Sequence, residues 1–421
     1  MLTERADADT PPPAVAGGGH TELPEAARPV SVTAEEVSAE APAVAEGLWD
    51  KAGRWRGAGI AVGILALTRV VQLLMLVGLD RATAEPAGLR GNLLIWDGGW
   101  FLRVAAGYPS GYTYAADGTM QGNELAFFPL YPMLIRGLSA LALDPGTAAL
   151  AVSWLASVAA AIALHLLGTS LYGRRAGWAL VAICCSAPMS VVLSMAYSES
   201  LFLALVAGMF VAAHRQVWWA AGLLGLGAAL TRPTGAAAAV GLAVAAIIAV
   251  RRDPAKRWPP LAAAAVALAG VPAYLGWVAW RVGDAEAWFR IQTAGWGTSF
   301  DFSASTIDFL ARTLTTGEGW VPVSVALILL AALAAAGVAL AGRPWLPLAV
   351  YGVVAMVLVY GQAGYYHSKP RLLLPVLLTL LPAVVAAARA RPRVAVLAIA
   401  GWAVFGLWYG AYLVAVWPYT I

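Results

Sequence analysis

Charged residues are scarce in this sequence. They make up 12% of 421 positions, against about 25% in an ordinary soluble domain. That is too few to coat a water-facing surface, and it excludes a soluble globular enzyme. Apolar residues account for 61%, so the chain divides naturally into the ~20-residue apolar runs that cross a bilayer. Cysteine is almost missing. Cys184 and Cys185 stand side by side in an apolar run, where they cannot staple distant segments and read as small packing residues, setting redox chemistry aside. No His, Cys and carboxylate set has metal-ligand spacing, no Gly-rich loop leads into a phosphate-binding Lys, and no Ser-His-Asp order stands out. Neither a metal nor a cofactor is expected.

The charges present are unevenly spread. Of 27 basic and 23 acidic residues, positions 1–46 hold two and nine, leaving 25 and 14 for the remainder. Positions 1–46 are rich in Pro, Ala, Glu and Gly and cannot bury enough surface to offset ordering entropy, so they are expected to be a disordered tail. With no apolar run near Met1, they do not read as a signal peptide. Positions 47–421 are expected to form one transmembrane domain. Its basic surplus reads as loop charge on the cytoplasmic side rather than as a nucleic-acid footprint.

Apolar runs fall at about 58–79, 147–169, 177–197, 199–214, 217–231, 235–250, 259–281, 321–341, 346–362, 372–388 and 394–417, which predicts an all-α, multi-pass membrane protein of about eleven spans. Lys51, Arg54 and Arg56 precede the first run and set the tail inside. Alternation then puts Arg174-Arg175, Arg215, Arg251 to Arg257, Arg343 and Arg389 to Arg393 inside, eleven bases with the single acid Asp253. Two long connections, about 80–144 and 282–320, fall outside. In the first, Glu124 to Ile135 is apolar and aromatic but interrupted by Pro129 and Pro132, so it reads as an interfacial or re-entrant segment.

The residues that bear on chemistry gather on the outer side. Asp97 stands in Leu94-Ile-Trp-Asp-Gly-Gly-Trp-Phe-Leu-Arg103. Glycines allow close backbone approach, Trp96 offers a flat face for a sugar ring or isoprenoid, and a carboxylate among apolar neighbours has a raised pKa suited to taking a hydroxyl proton. The alternative is a solvated loop acid beside interfacial tryptophans. Glu199 lies where two spans meet with almost no loop, which suggests a cavity-facing acid or the first turn of the following helix. Arg232, in Thr231-Arg-Pro-Thr234, and the group His367, Lys369 and Arg371 are cations on the wrong side for the positive-inside trend. An anionic headgroup such as a lipid phosphate accounts for them; ordinary phospholipid anchoring is the alternative. Arg69 lies within the first span and needs a partner there, with Asp97 or Glu199 as candidates.

In order, Trp96-Asp97, Phe127-Phe-Pro-Leu-Tyr-Pro132, Tyr197-Ser-Glu-Ser-Leu-Phe202, Arg232-Pro233 and the late His/Lys/Arg group resemble the phosphatidylinositol-glycan class V family of membrane mannosyltransferases, within the GT-C superfamily. The resemblance covers about residues 58–388. It implies a GT-C-like fold with a long first extracytoplasmic loop, a polyprenyl- or dolichyl-phosphate-mannose donor, transfer outside the cytoplasm, and a first-loop carboxylate, here Asp97, as catalytic base. No lumenal soluble domain is evident in this chain, a departure from the pattern. The resulting expectation is an inverting glycosyltransferase of the cell membrane. Asp97 and Glu199 form its catalytic pair, and Arg232, His367, Lys369 and Arg371 hold the donor phosphate. Trp96, Phe128 and Tyr131 contact the sugar or line an isoprenoid groove running from Phe127 to Ile135. Its partners would be membrane lipid and a glycan, glycolipid or protein acceptor, with no nucleic acid. A lipid or sugar transporter, or flippase, is the competing reading, since transporters use broken helices near mid-membrane. A third is an inactive relative that binds a lipid-linked sugar.

Overall fold

The computed structural model describes residues 51–317 and 319–420, with side chains from Arg56. The acidic stretch 1–46 lies outside the described residues. Those described are almost entirely helical, with one two-stranded hairpin. In chain order, α1 (Lys51–Ala82) is followed by two short helices, α2 (Gly88–Leu94) and α3 (Asp97–Ala106). The antiparallel hairpin β1 (Thr113–Tyr114) and β2 (Met120–Gln121) and the amphipathic α4 (Leu130–Ser139) complete the first long connection.

The helix α5 (Pro145–Tyr172) shows why these boundaries fall where they do. Asp144 accepts from the backbone N–H of Gly146 and Thr147, Pro145 occupies the first turn, and Gly173 at φ 89° ends the helix. Then come α6 (Arg174–Cys185), α7 (Glu199–His214), α8 (Trp218–Ala229), α9 (Gly235–Arg252) and α10 (Trp258–Val282). The second long connection carries α11 (Ala287–Trp296) and α12 (Ala304–Thr316). The chain closes with α13 (Trp320–Ala341), α14 (Leu346–Gly361), the short α15 (Lys369–Leu373), α16 (Leu381–Arg389) and α17 (Pro392–Ala415).

Six of the eleven expected runs are single helices long and apolar enough to cross a membrane: α1, α5, α9, α10, α13 and α17. Three others, α7, α8 and α14, are apolar helices of 12–16 residues, about 18–24 Å at 1.5 Å per residue and shorter than the ~30 Å hydrocarbon layer. The last two runs are not continuous helices. The 177–197 run stops at Cys185, turns at Ser186-Ala187-Pro188 and resumes only as a 3₁₀ turn at Ser190–Leu193. The 372–388 run belongs to a pair of helical pieces bent by 78° between Leu373 and Leu377, around Pro375. Counting that pair as one span gives seven. Proline accounts for both breaks, because it lacks an N–H and clashes with the preceding turn.

The expected interfacial segment is a tight turn followed by α4, whose Tyr131, Pro132 and Ile135 are buried while Met133 and Leu134 are exposed. The two long connections pack on each other. Trp100, Phe127 and Trp296 form a three-ring cluster with centroids 5.1–5.6 Å apart, and the carbonyl of Ala126 accepts from both Trp288 Nε1 (3.3 Å) and Gln292 Nε2 (3.0 Å). Tyr112 donates to Asp284 at 2.6 Å. That hydroxyl, with the Glu286 N–H, holds the Asp284 carboxyl below its usual range, and desolvation followed by the Asp284 bond pushes Tyr112 up to about 12.

Candidate functional site

Four residues from four separate parts of the chain meet at one site: Asp97 at the start of α3, Glu199 at the start of α7, Arg232 in the α8–α9 turn and Arg371 on α15. Arg371, on α15, reaches both carboxylates: Nη1 lies 2.8 Å from Asp97 Oδ2 and Nε lies 3.2 Å from Glu199 Oε1. Arg232, from the α8–α9 turn, contacts the same Glu199 oxygen through Nη1 at 2.5 Å. The order is therefore Asp97, Arg371, Glu199, Arg232, with alternating sign. The side chain of Glu199 is 2% exposed and that of Arg371 9%, whereas Asp97 keeps 24%. Asp97 is thus the accessible carboxylate, and Glu199 the buried counter-charge between two arginines.

Local structure explains how Asp97 is presented. Trp96, half-buried against the main core, precedes α3 at φ 58° and ψ −112°, a backbone region costly for any residue with a Cβ. Gly98 and Gly99 follow, donating to the carbonyls of Ile95 and Trp96. Gly98 packs on Ala196, where a Cβ would lie 3.4 Å from Ala196 Cβ, an ordinary van der Waals contact, so α3 starts against the segment that carries Glu199. A backbone bond from Ala196 N–H to the Leu93 carbonyl at 2.8 Å ties the two segments together.

Within the cluster the contacts are close but poorly aligned. Glu199 Oε1, Arg371 Nε and Nη1, and the hydroxyl of Tyr197 are buried and have no well-formed hydrogen bond. Tyr197 lies with its ring 5.0 Å from the Arg371 guanidinium carbon. The Arg371 donors can be satisfied by a better-placed acceptor, and an anionic oxygen suits a guanidinium fork. Among the described residues, no group of three or more His, Cys, Asp or Glu side chains gathers as a metal centre would need.

Other residues singled out from sequence fall elsewhere. Lys369 does not join the carboxylates. Its ammonium donates to the carbonyls of Val359 (2.9 Å) and Gln362 (2.5 Å), serving the last turn of α14, whose carbonyls lack helical partners. Lys369→Met is accordingly expected to lower stability by about 1–3 kcal/mol, read as a lower unfolding midpoint in detergent, rather than to disturb the Asp97–Arg371 pair. His367 is buried beside Tyr365 and Tyr366, with Nε2 3.4 Å from Thr420 Oγ1. Phe128 and Tyr131 are core side chains, 2% and 0% exposed. Phe128 packs on Tyr274, and the Tyr131 hydroxyl is bonded to Ser153 and the Ala149 carbonyl, so neither lines a groove. Arg69 pairs with neither Asp97 nor Glu199; its partners are Gln72 and the broken stretch after α6. The sequence reading missed Tyr197 as a contact of Arg371. Its signal was an aromatic two residues before the buried acid.

Two clefts flank this region. An apolar one of about 920 Å³ runs between α13, α16 and α17, with Met189, Ser324 and Pro370 among its lining residues. A smaller one of about 430 Å³, bounded by Tyr108, Pro132, Arg136, Tyr274 and Trp277, lies between α3, α4 and α10. Neither is lined by Phe128 or Tyr131. Comparison with models of known protein families and with curated proteins finds no match to this chain.

Proposed function

We propose that this chain is an inverting mannosyltransferase of the cell membrane. It would take mannose from a polyprenyl-phosphate donor and transfer it to an acceptor hydroxyl on the extracytoplasmic side. The observation that carries the reading is the Asp97–Arg371–Glu199–Arg232 cluster, which sets one accessible carboxylate beside two guanidinium groups, of which Arg371 has unaligned donors. Every member comes from a connection that the basic-loop pattern puts outside. The motif resemblance to the phosphatidylinositol-glycan class V family, with its GT-C architecture, points the same way. The eleven-span topology belongs to this proposal too, the short helices and the two broken runs counting as crossings.

In this scheme Asp97 takes the proton of the acceptor hydroxyl as its oxygen attacks the anomeric carbon. The bond from that carbon to the donor phosphate oxygen breaks, and the electron pair leaves with the phosphate. Arg371 and Arg232 stabilise the departing charge. A donor phosphate at Arg371 competes with Asp97 for the same guanidinium, so donor binding frees the base. The isoprenoid chain suits the apolar cleft of α13, α16 and α17, because its lining residue Pro370 is the chain neighbour of Arg371.

The broken stretch after α6 and the 78° bend favour a second reading, a lipid or sugar transporter. Against it, Asp97, Glu199 and Arg232 stand at helix starts or in a turn rather than within a long helix. Membranes containing the protein, given radiolabelled polyprenyl-phosphate-mannose, are expected to form a labelled glycan, glycolipid or protein that control membranes lack. Movement of label across sealed vesicles without a new covalent product would replace the enzyme by the transporter.

A further inference from the structure

Arg69 is a charged side chain within the apolar helix α1, and the transfer scheme gives it no part. Its guanidinium donates to the carbonyl of Cys185, the last residue of α6, and to the Ser190 carbonyl at 2.5 Å, with Ser190 Oγ at 3.2 Å and Ser194 Oγ at 3.4 Å. It also donates to Gln72 at 2.6 Å, and Gln72 donates in turn to the Leu407 carbonyl of α17 at 3.3 Å. A cation at a helix C-terminus meets the negative end of its dipole, and a planar fork can serve two carbonyls at once. The opened backbone around Pro188 would otherwise leave polar groups unpaired in an apolar layer.

The stretch that Arg69 holds leads directly into the site. Its second half is fixed by α5: Trp154 donates to Ser194 O at 2.9 Å, Ser157 to Leu193 O at 2.7 Å and Ser153 to Tyr197 O at 3.2 Å. Its first half, Cys185 to Ser190, takes side-chain bonds from Arg69, while α17 packs closely on it, so that a Cβ at Gly406 would collide with the Ser186 carbonyl. We propose that Arg69 is a positioning residue for Glu199. By clamping the Pro188 break, it fixes the segment that sets the Glu199 carboxylate between Arg371 and Arg232. This assignment rests on the proposed transfer reaction for its kinetic consequence, but not for its structural one.

The test uses the full-length protein with Arg69→Met, Arg69→Lys, Glu199→Gln and the double variant Arg69→Met/Glu199→Gln. Each is measured for unfolding midpoint, for donor KM and kcat separately, and for hydrogen exchange. Arg69→Met is expected to lower kcat about tenfold with little change in donor KM, an effect typical of coupled neighbours. Arg69→Lys, which keeps the charge but not the fork, is expected to recover part of it. In the Glu199→Gln background the Arg69→Met change is expected to add almost nothing. Exchange should rise across 186–202 and not in α9 or α13. Equal kcat losses in both backgrounds, or exchange raised uniformly through the bundle, would overturn the proposal in favour of a general stability role. If Arg69→Met does not fold, Arg69→Lys carries the same comparison. If the wild-type chain transfers no sugar, the functional reading fails, and the exchange pattern alone still decides the placement of Arg69.

Discussion

Asp97→Asn is expected to abolish sugar transfer, lowering turnover by at least about a hundredfold, while the protein folds, inserts and binds donor as before. Asn copies the shape of Asp but cannot accept a proton, and a positioned base contributes about 10²–10⁴-fold. Asp97 is the test position because it is the more exposed of the two carboxylates and touches a single arginine, Arg371 Nη1, at 2.8 Å. Glu199→Gln is the necessary comparison. Glu199 lies buried against both Arg371 and Arg232, so its loss removes a counter-charge from two arginines and is expected to destabilise the chain as well as slow it. Turnover measured beside donor binding and unfolding midpoint separates the two outcomes. Near-normal turnover in Asp97→Asn would eliminate it as the base. A stable but inactive Glu199→Gln would then exchange the roles.

Arg371 carries the second large effect. Arg371→Gln removes the partner of Asp97 and one of the two partners of Glu199. Breaking a buried pair by deleting one member typically costs about 3–5 kcal/mol, so a lowered unfolding midpoint is expected with the loss of turnover. Arg371→Lys keeps the charge and separates the two effects. It is expected to fold, yet to use donor about ten- to a hundredfold less well, because a lysine replaces a two-pronged contact by a point charge. If Arg371→Lys has unchanged donor KM and kcat, the phosphate role passes to Arg232 alone.

Part of this arrangement is legible in the amino-acid sequence. Long apolar runs with basic flanks locate α1, α5, α9, α10, α13 and α17, because bilayer thickness fixes their length. Asp97, Glu199, Arg232 and Arg371 were each marked by being ionisable residues on the less basic side. Their pairing was not legible. Loop charge gives an expected side of the membrane for a residue, but not which of several connections touch.

The breaks were hidden for a different reason. Pro272 sits inside α10 without ending it, so a proline in an apolar run does not announce a break. Pro188 ends a helix where Arg69 and α17 stand ready to receive the opened backbone, and those partners come from residues over a hundred positions away. Lys369 misled for a similar reason. A cation two residues from Arg371 looks like part of one phosphate site, yet the end of α14 claims it.

The alternating order Asp97, Arg371, Glu199, Arg232 also has an electrical consequence. A lone charge carried across a membrane works with or against about 2.3 kcal/mol per 100 mV. The two arginines and two carboxylates sum to no formal charge, so the cluster as a whole feels a membrane voltage only through its dipole. Arg69 is different, because its described hydrogen-bond partners are carbonyls, hydroxyls and an amide rather than an acid. Among the described residues its charge meets dipoles rather than a carboxylate, so a membrane voltage acts on it as on a lone charge.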